Sequence, residues 1–231
     1  MNVNRSNPIP TARSRLLLLL LSCAFSFALS ACAQPMKVAF VLTEGANVID
    51  MAGPWEVFQD TMVGDRMGFE LFTVGESSNP VTMTGGLRVV PEHTFANAPQ
   101  ADIVVIGAQR GASALPEWLR ARAKDSRVVM SVCTGAFKLA DAGLLEGKKA
   151  TTHHEFWDAF AKKFPNIQLE RGSRFVQSDD VLFTAGGLTS GIDLALHIVE
   201  KFYGRAAADR TAAYMEYRHR GSDNGDTTKL R

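Results

Sequence analysis

The chain has 231 residues, 46% of them hydrophobic, with 25 basic and 24 acidic side chains and a formal net charge of +1. That balance gives no electrostatic reason to expect nucleic acid or an acidic surface as partner, and the apolar share excludes an intrinsically disordered chain. Setting aside the N-terminal segment leaves about 200 residues, the size of one domain with a full core.

Arg5, Arg13 and Arg15 precede an apolar stretch from residue 16 to residue 29, and small residues follow it. This is the three-part layout of a secretory signal, and the run is short for a membrane span. Leu29-Ser30-Ala31-Cys32 resembles a bacterial lipobox, in which Cys32 is lipidated and becomes the new N-terminus, while Ala31-Cys32-Ala33 also fits an A-x-A cleavage site. The expectation is a signal peptide of lipoprotein type over residues 1–31. It implies export to the periplasm or outer membrane of a bacterium, with membrane contact through a lipid anchor if Cys32 is lipidated.

Strand and helix patterns then alternate. Residues 37–42 form an apolar run, and residues 48–62 carry apolar side chains at helical spacing with Pro54 near the first turn. A strand follows at 69–74, a hairpin-like pair at 81–90 around Gly85-Gly86, and a strand buried on both faces at 102–107. Next come a helix at 115–124, a strand at 127–132 and a helix at 134–145 stopped by Gly147. Residues 149–152 are a short strand, 153–164 a helix closed by Pro165, 167–169 and 174–182 extended, and 188–203 a long amphipathic helix. Residues 205–218 are helical in pattern, and the polar tail over 219–231 has the composition of a disordered segment. The alternation predicts an α/β fold with a mostly parallel sheet and helices on both faces, whose ligands bind beyond the carboxyl ends of the strands. The glycine pairs at 85–86 and 186–187 lack the spacing of a dinucleotide or phosphate-loop fingerprint.

Cys133 stands at one such strand end, where a β-branched run gives way at once to a helical pattern. Of the three cysteines, Cys23 and Cys32 fall in the expected signal, so Cys133 alone lies in the folded domain. A solitary cysteine in an oxidising compartment is either a buried, inert core residue or kept for reactivity. The start of a helix favours a thiolate through unpaired N–H groups and the helix dipole, and small Gly135 and Ala136 allow close approach of another segment.

Five motifs occur in order: Asp50-x-x-Gly53-Pro54-x-Glu56-Val57-Phe58, Ser131-Val132-Cys133-Thr134-Gly135-Ala136, Ala142-Gly143-Leu144-Leu145, Ala150-Thr151-Thr152-His153 and Gly191-Ile192-Asp193. By these motifs the chain resembles the DJ-1/PfpI superfamily, from residue 37 to residue 217. The resemblance implies the class I glutamine amidotransferase-like fold, a flavodoxin-like three-layer α/β/α sandwich, over residues 36–218. The Cys-Thr-Gly-Ala form is similar to isonitrile hydratases and to the ligand-sensing domains of AraC-type regulators. No helix-turn-helix pattern follows, so DNA binding is not expected.

Resemblance to an isonitrile hydratase implies that the Cys133 thiolate adds to the terminal carbon of R–N≡C, giving a thioimidate that water converts to an N-substituted formamide. Asp50 would bond the thiol, shuttle a proton and orient water. Thr134, with the N–H groups after Gly107 at Ala108 and Gln109, would stabilise developing charge. His153 is a further candidate beside the thiol, and Glu44 could line the pocket. The plainer alternatives are an N-cap role for Asp50 and a cap or surface position for His153. Adjacent His153 and His154 make a metal pair improbable, and no cofactor or metal is expected.

Two departures matter. Thr134 follows the cysteine where peptidase-like members resemble a Cys-His pair, which disfavours a protease. The common Pro-Gly-Gly is here Gly107-Ala108-Gln109, adding side chains where backbone should approach substrate. The expected activity is therefore a cysteine-dependent hydratase or hydrolase acting on a small molecule. The alternatives are a non-catalytic ligand-binding or redox-sensing lipoprotein and a deglycase or chaperone-like protein, with a homodimer left open.

Overall fold

The computed structural model describes residues 34–218; the expected signal segment with Cys32 and the expected tail over 219–231 lie outside the described residues. The chain order is β1 Met36–Val41, α1 Val48–Gln59, β2 Met62–Val63, β3 Arg66–Met67, β4 Phe69–Gly75, β5 Val81–Thr82, β6 Arg88–Val89 and β7 His93–Thr94. It continues with β8 Ile103–Ile106, α2 Leu115–Asp125, β9 Val128–Ser131, α3 Gly135–Asp141, β10 Lys149–Ala150, α4 Trp157–Lys163 and β11 Gln168–Leu169. It closes with β12 Phe175–Gln177, β13 Leu182–Ala185, α5 Ser190–Tyr203 and α6 Arg205–Tyr214.

A seven-stranded sheet runs in the order β12-β13-β9-β8-β1-β4-β7. Its neighbours are parallel except β12 and β13. Side chains alternate across each strand, so Val38, Phe40, Met130 and Val132 join Val57, Phe58, Leu194 and Ile198 of α1 and α5 in one core. Ala39, Val41 and Val129 point the other way, to Leu115, Leu119, Leu139 and Phe160 of α2, α3 and α4. Both faces are covered, which is why the central strands read as unbroken apolar runs. This is the expected flavodoxin-like sandwich.

Several local expectations change. The first helix ends at Gln59, because the Asp60 N–H turns back to Glu56 and the Thr61 hydroxyl donates to the Val57 carbonyl at 2.7 Å. Residues read as its last turn instead open the β2–β3 hairpin, whose turn carries Gly64 at φ 62°. Pro54 lies inside α1 rather than near its start, and it removes the N–H that would have bonded the Asp50 carbonyl. The helix expected over 153–164 breaks into a 3₁₀ turn at His154–Phe156 followed by α4. The extended segment 174–182 is two antiparallel strands, folded back where Asp179 Oδ1 accepts the N–H groups of Val181 and Leu182. The last long helix starts at Ser190, because Leu188 is left-handed, with φ 54°. The pair at 81–90 is the expected hairpin, with both glycines at positive φ.

The sheet order also locates the site. After β1 the chain turns to α1 on one face, and after β8 it turns to α2 on the other, so a crevice opens between the carboxyl ends of these neighbouring strands. The ends of β9 and β13 adjoin it.

Candidate active site

Cys133 leaves the end of β9 with φ 59°. A non-glycine residue there costs about 1–3 kcal/mol and persists only where its surroundings over-determine it. Here they do. The Cys133 N–H donates to the Gly186 carbonyl at 2.8 Å, and its own carbonyl accepts the Thr152 hydroxyl at 2.9 Å. On the other side the Val132 N–H donates to the Ile106 carbonyl at 2.9 Å. Gly135 allows the elbow to sit so close, since a Cβ on it would lie 2.3 Å from the Ile106 carbonyl oxygen.

Asp50 enters from the first turn of α1 and is fully buried. It does not cap that helix; Asn47 does, accepting the Ile49 N–H at 3.1 Å. Asp50 Oδ2 instead accepts the Ala108 N–H at 2.9 Å across the β1–β8 crevice. Gly107 is glycine for this reason: a Cβ there would stand 2.6 Å from the Asp50 Cβ. Oδ1 has no hydrogen-bond partner of full geometry. The Cys133 thiol and the Leu188 N–H approach the carboxyl closely enough to stabilise its charge without completing a strong bond.

Burial raises the Asp50 carboxyl to about 6, against the pull of the Ala108 N–H, the thiol and the Leu188 N–H. The same burial, with the Asp50 charge beside it, pushes the Cys133 thiol up to about 12, although the N–H groups of Thr134 and Leu188 favour the thiolate. This corrects the expected resting thiolate. The helix after the cysteine has only seven residues and Cys133 is 6% exposed, so desolvation and like charge outweigh the helix N-terminus. The resting pair at neutral pH is a thiol beside a carboxylate, with one negative charge between the two groups. Asp50 can therefore act as a base toward the thiol.

The remaining expected residues divide. Thr134 contributes its N–H to the sulfur. Ala108 was expected to offer its N–H to substrate, but that N–H is spent on Asp50 and its carbonyl accepts the Asn47 N–H at 2.8 Å. The Gln109 side chain, expected to add bulk beside the substrate, is buried: its Oε1 accepts the Thr43 N–H at 2.7 Å, and its Nε2 has no partner among the described residues. Glu44 is exposed and turns away to the 81–90 hairpin, where its carboxylate accepts the Thr82 N–H at 3.1 Å. His153 accepts the Glu155 N–H at 3.3 Å through Nδ1 and stacks on His154 at 4.5 Å. Burial, and then the neighbouring His154, hold its imidazole below the usual range. Its ring lies against Gly187, where a Cβ would meet Cδ2 at 2.0 Å, so it reaches the site only through the 186–189 turn.

Leu188 was missed. Leucine carries no signal for a left-handed conformation, yet the turn at residues 186–189 supplies the Gly186 carbonyl and the Leu188 N–H to the reactive pair. Among the described residues no group of three or more His, Cys, Asp or Glu side chains could hold a metal ion, and no helix is long and apolar enough to cross a membrane.

The DJ-1/PfpI family model matches residues 36–201. The chain is 31% identical to an isonitrile hydratase of Pseudomonas putida over 188 residues, which cover 79% of this chain and 78% of that one. It is 30% identical over 180 residues to the HTH-type transcriptional regulator GbdR of Pseudomonas aeruginosa, covering 74% of this chain but only 48% of the regulator. The crystal structure of a THiJ/PfpI family protein from Pseudomonas syringae superposes with a TM-score of 0.70 at 28% identity, covering 86% of this chain and 84% of that one. A family model spanning most of the chain, a relative matched over most of both lengths and the shared sandwich agree with the motifs around Asp50 and Cys133: the chain belongs to the DJ-1/PfpI family.

Proposed function

We propose that this protein is a cysteine-dependent, cofactor-free enzyme that hydrates a small isonitrile, with Cys133 as nucleophile and Asp50 as its proton carrier. The observation that carries this reading is the fully buried Asp50 carboxylate beside the Cys133 thiol on a left-handed elbow. The similarity to an isonitrile hydratase over most of both chains supports the substrate class.

The chemistry follows from the pair. Asp50 takes the thiol proton as sulfur adds to the terminal carbon of R–N≡C, and returns that proton to the same carbon, giving the thioimidate R–N=CH–S–Cys133. As the oxygen of water adds to the C=N carbon, Asp50 takes a water proton and passes it to nitrogen, giving R–NH–CH(OH)–S–Cys133. The C–S bond then breaks as the hydroxyl proton passes through Asp50 to sulfur, and R–NH–CHO leaves with Asp50 again a carboxylate. The sum is one isonitrile plus one water to one formamide, so no oxidant or reductant is consumed. The Thr134 and Leu188 N–H groups favour charge on sulfur and so lower the cost of its transient ionisation. With Cys133 buried at 6% exposure, the site favours substrates with a slender reacting end, such as the terminal carbon of an isonitrile.

The test incubates the protein with an alkyl isonitrile and follows the formamide by NMR. Turnover that is lost in Cys133→Ala and in Asp50→Asn is the expected result. No turnover by the unmodified protein, or undiminished turnover by Cys133→Ala, overturns the reading. The un-ionised resting thiol favours one other reading, a ligand-binding domain without turnover. In that case Cys133→Ser retains ligand affinity and no formamide forms. The N-terminal sequence supports export as a lipoprotein, tested by fatty-acid labelling that Cys32→Ala abolishes.

A further inference from the structure

The Gly191-Ile192-Asp193 motif has no part in the chemistry above, yet its carboxylate anchors a cluster around the turn that faces the reactive pair. Arg174, just before β12, holds that turn at both ends. Its carbonyl accepts the Gly186 N–H at 2.8 Å, and the Gly186 carbonyl in turn accepts the Cys133 N–H at 2.8 Å. Its guanidinium donates to the Thr189 hydroxyl at 3.3 Å. Between these two holds lies Leu188 in its left-handed conformation, with its N–H toward Asp50 and Cys133.

The guanidinium is itself fixed. Its Nε donates to Asp193 Oδ2 at 2.6 Å and a terminal nitrogen bonds the same oxygen, while the Tyr217 hydroxyl donates to Asp193 Oδ1 at 3.0 Å. The pair is mostly shielded from water, with Arg174 and Asp193 side chains 23% and 12% exposed. A shielded, charge-assisted pair in which two guanidinium nitrogens meet one carboxylate oxygen holds orientation better than a surface ion pair. A left-handed leucine that is 40% exposed has too little packing of its own to keep the turn in place.

We infer that Arg174 is a positioning residue: locked by Asp193 and Tyr217, it spans residues 186–189 and so holds the Leu188 N–H and the Gly186 carbonyl on the Cys133–Asp50 pair. This rests on that pair being the reactive centre, but not on the substrate, and its test reads the pair without turnover. Lysine cannot replace the arginine, because a single ammonium lacks the spread of nitrogens that reaches Asp193 from Nε and a terminal nitrogen and Thr189 as well.

The test titrates the Asp50 carboxyl by ¹³C NMR in the full chain with labelled aspartate, and follows the Leu188 amide in a ¹⁵N-leucine sample. In Arg174→Gln the Leu188 N–H no longer stays on the carboxylate. The Asp50 midpoint is expected to rise by roughly half a pH unit, about a threefold change in its ionisation constant, with the Leu188 amide resonance shifted. Thr189→Val and Tyr217→Phe remove one bond each, are expected to move both signals in the same directions, and decide the question if Arg174→Gln does not fold. Arg171→Gln, which breaks the nearby surface pair with Asp158, should move neither. Unchanged Asp50 and Leu188 signals in folded Arg174→Gln or in both milder variants, or an equal shift in Arg171→Gln, would overturn the assignment. A protein that fails to hydrate isonitriles yet shows these shifts leaves the clamp standing and removes only the substrate.

Discussion

Replacing Asp50 by asparagine should stabilise the fold at neutral pH while removing the chemistry. The carboxyl titrates near 3.8 when solvated and near 6 in the folded protein, with burial the main cause. A raised acid favours the folded state while it is protonated. That contribution is complete below 3.8, falls as pH rises and is gone above 6. The shift of about 2 units at about 1.4 kcal/mol per unit amounts to roughly 3 kcal/mol that the folded protein loses by pH 7. Asparagine has no proton to lose, so the stability of Asp50→Asn relative to the parent should climb by about that amount between pH 4 and pH 7.5. For a domain of this size 3 kcal/mol is roughly 6–12 °C in Tm. The assay is urea unfolding of both proteins at several pH values, and only the change in their difference matters, so other titrating groups cancel. A difference that stays constant from pH 4 to pH 7.5 refutes the reasoning, because it means that burying this carboxylate costs the fold nothing.

Other consequences follow from the same geometry. Because the reactive resting form is thiol plus carboxylate, kcat/KM for isonitrile hydration should rise through about pH 6 and then stay level through the mildly alkaline range, since the thiol keeps its proton to about 12; a rate that falls above pH 6 would mean that Asp50 must start protonated. Gly135→Ala should lose roughly 3 kcal/mol or more in urea unfolding, because its new methyl would meet the carbonyl oxygens of Ile106, the last residue of β8, at 2.3 Å and of Gly107 just beyond it at 2.9 Å. His153→Ala, in contrast, should keep the pH 6 limb of the rate profile, since the imidazole packs against Glu155, His154, Phe156 and Gly187 rather than the thiol.

The sandwich was legible because parallel strands buried on both faces leave long apolar runs such as residues 103–106 and 128–132, and helices between them leave a different period. The elbow at Cys133 was legible too, as strand pattern followed directly by Gly135 and Ala136. Less visible was anything that depends on pairing distant segments. Ala108 looks like a free backbone donor until the fold sets Asp50 against it, and Gln109 looks like a substrate-side residue until the Thr43 N–H takes its side-chain oxygen. The charge state of Cys133 was misjudged for a related reason: helix position is local in sequence, whereas the desolvation and the Asp50 charge that outweigh it come from elsewhere in the chain. Leu188 shows the limit most clearly, since its left-handed backbone is imposed by bonds from Arg174 to residues on either side.

The most direct measurement is mass spectrometry of the protein quenched in acid during reaction with an isonitrile. An added mass equal to one substrate molecule, mapped to the peptide containing Cys133 and absent from Cys133→Ala, is expected for addition of this sulfur to the terminal carbon. Formamide production with no adduct at any quench time, or with the adduct on another residue, would contradict Cys133 as the nucleophile.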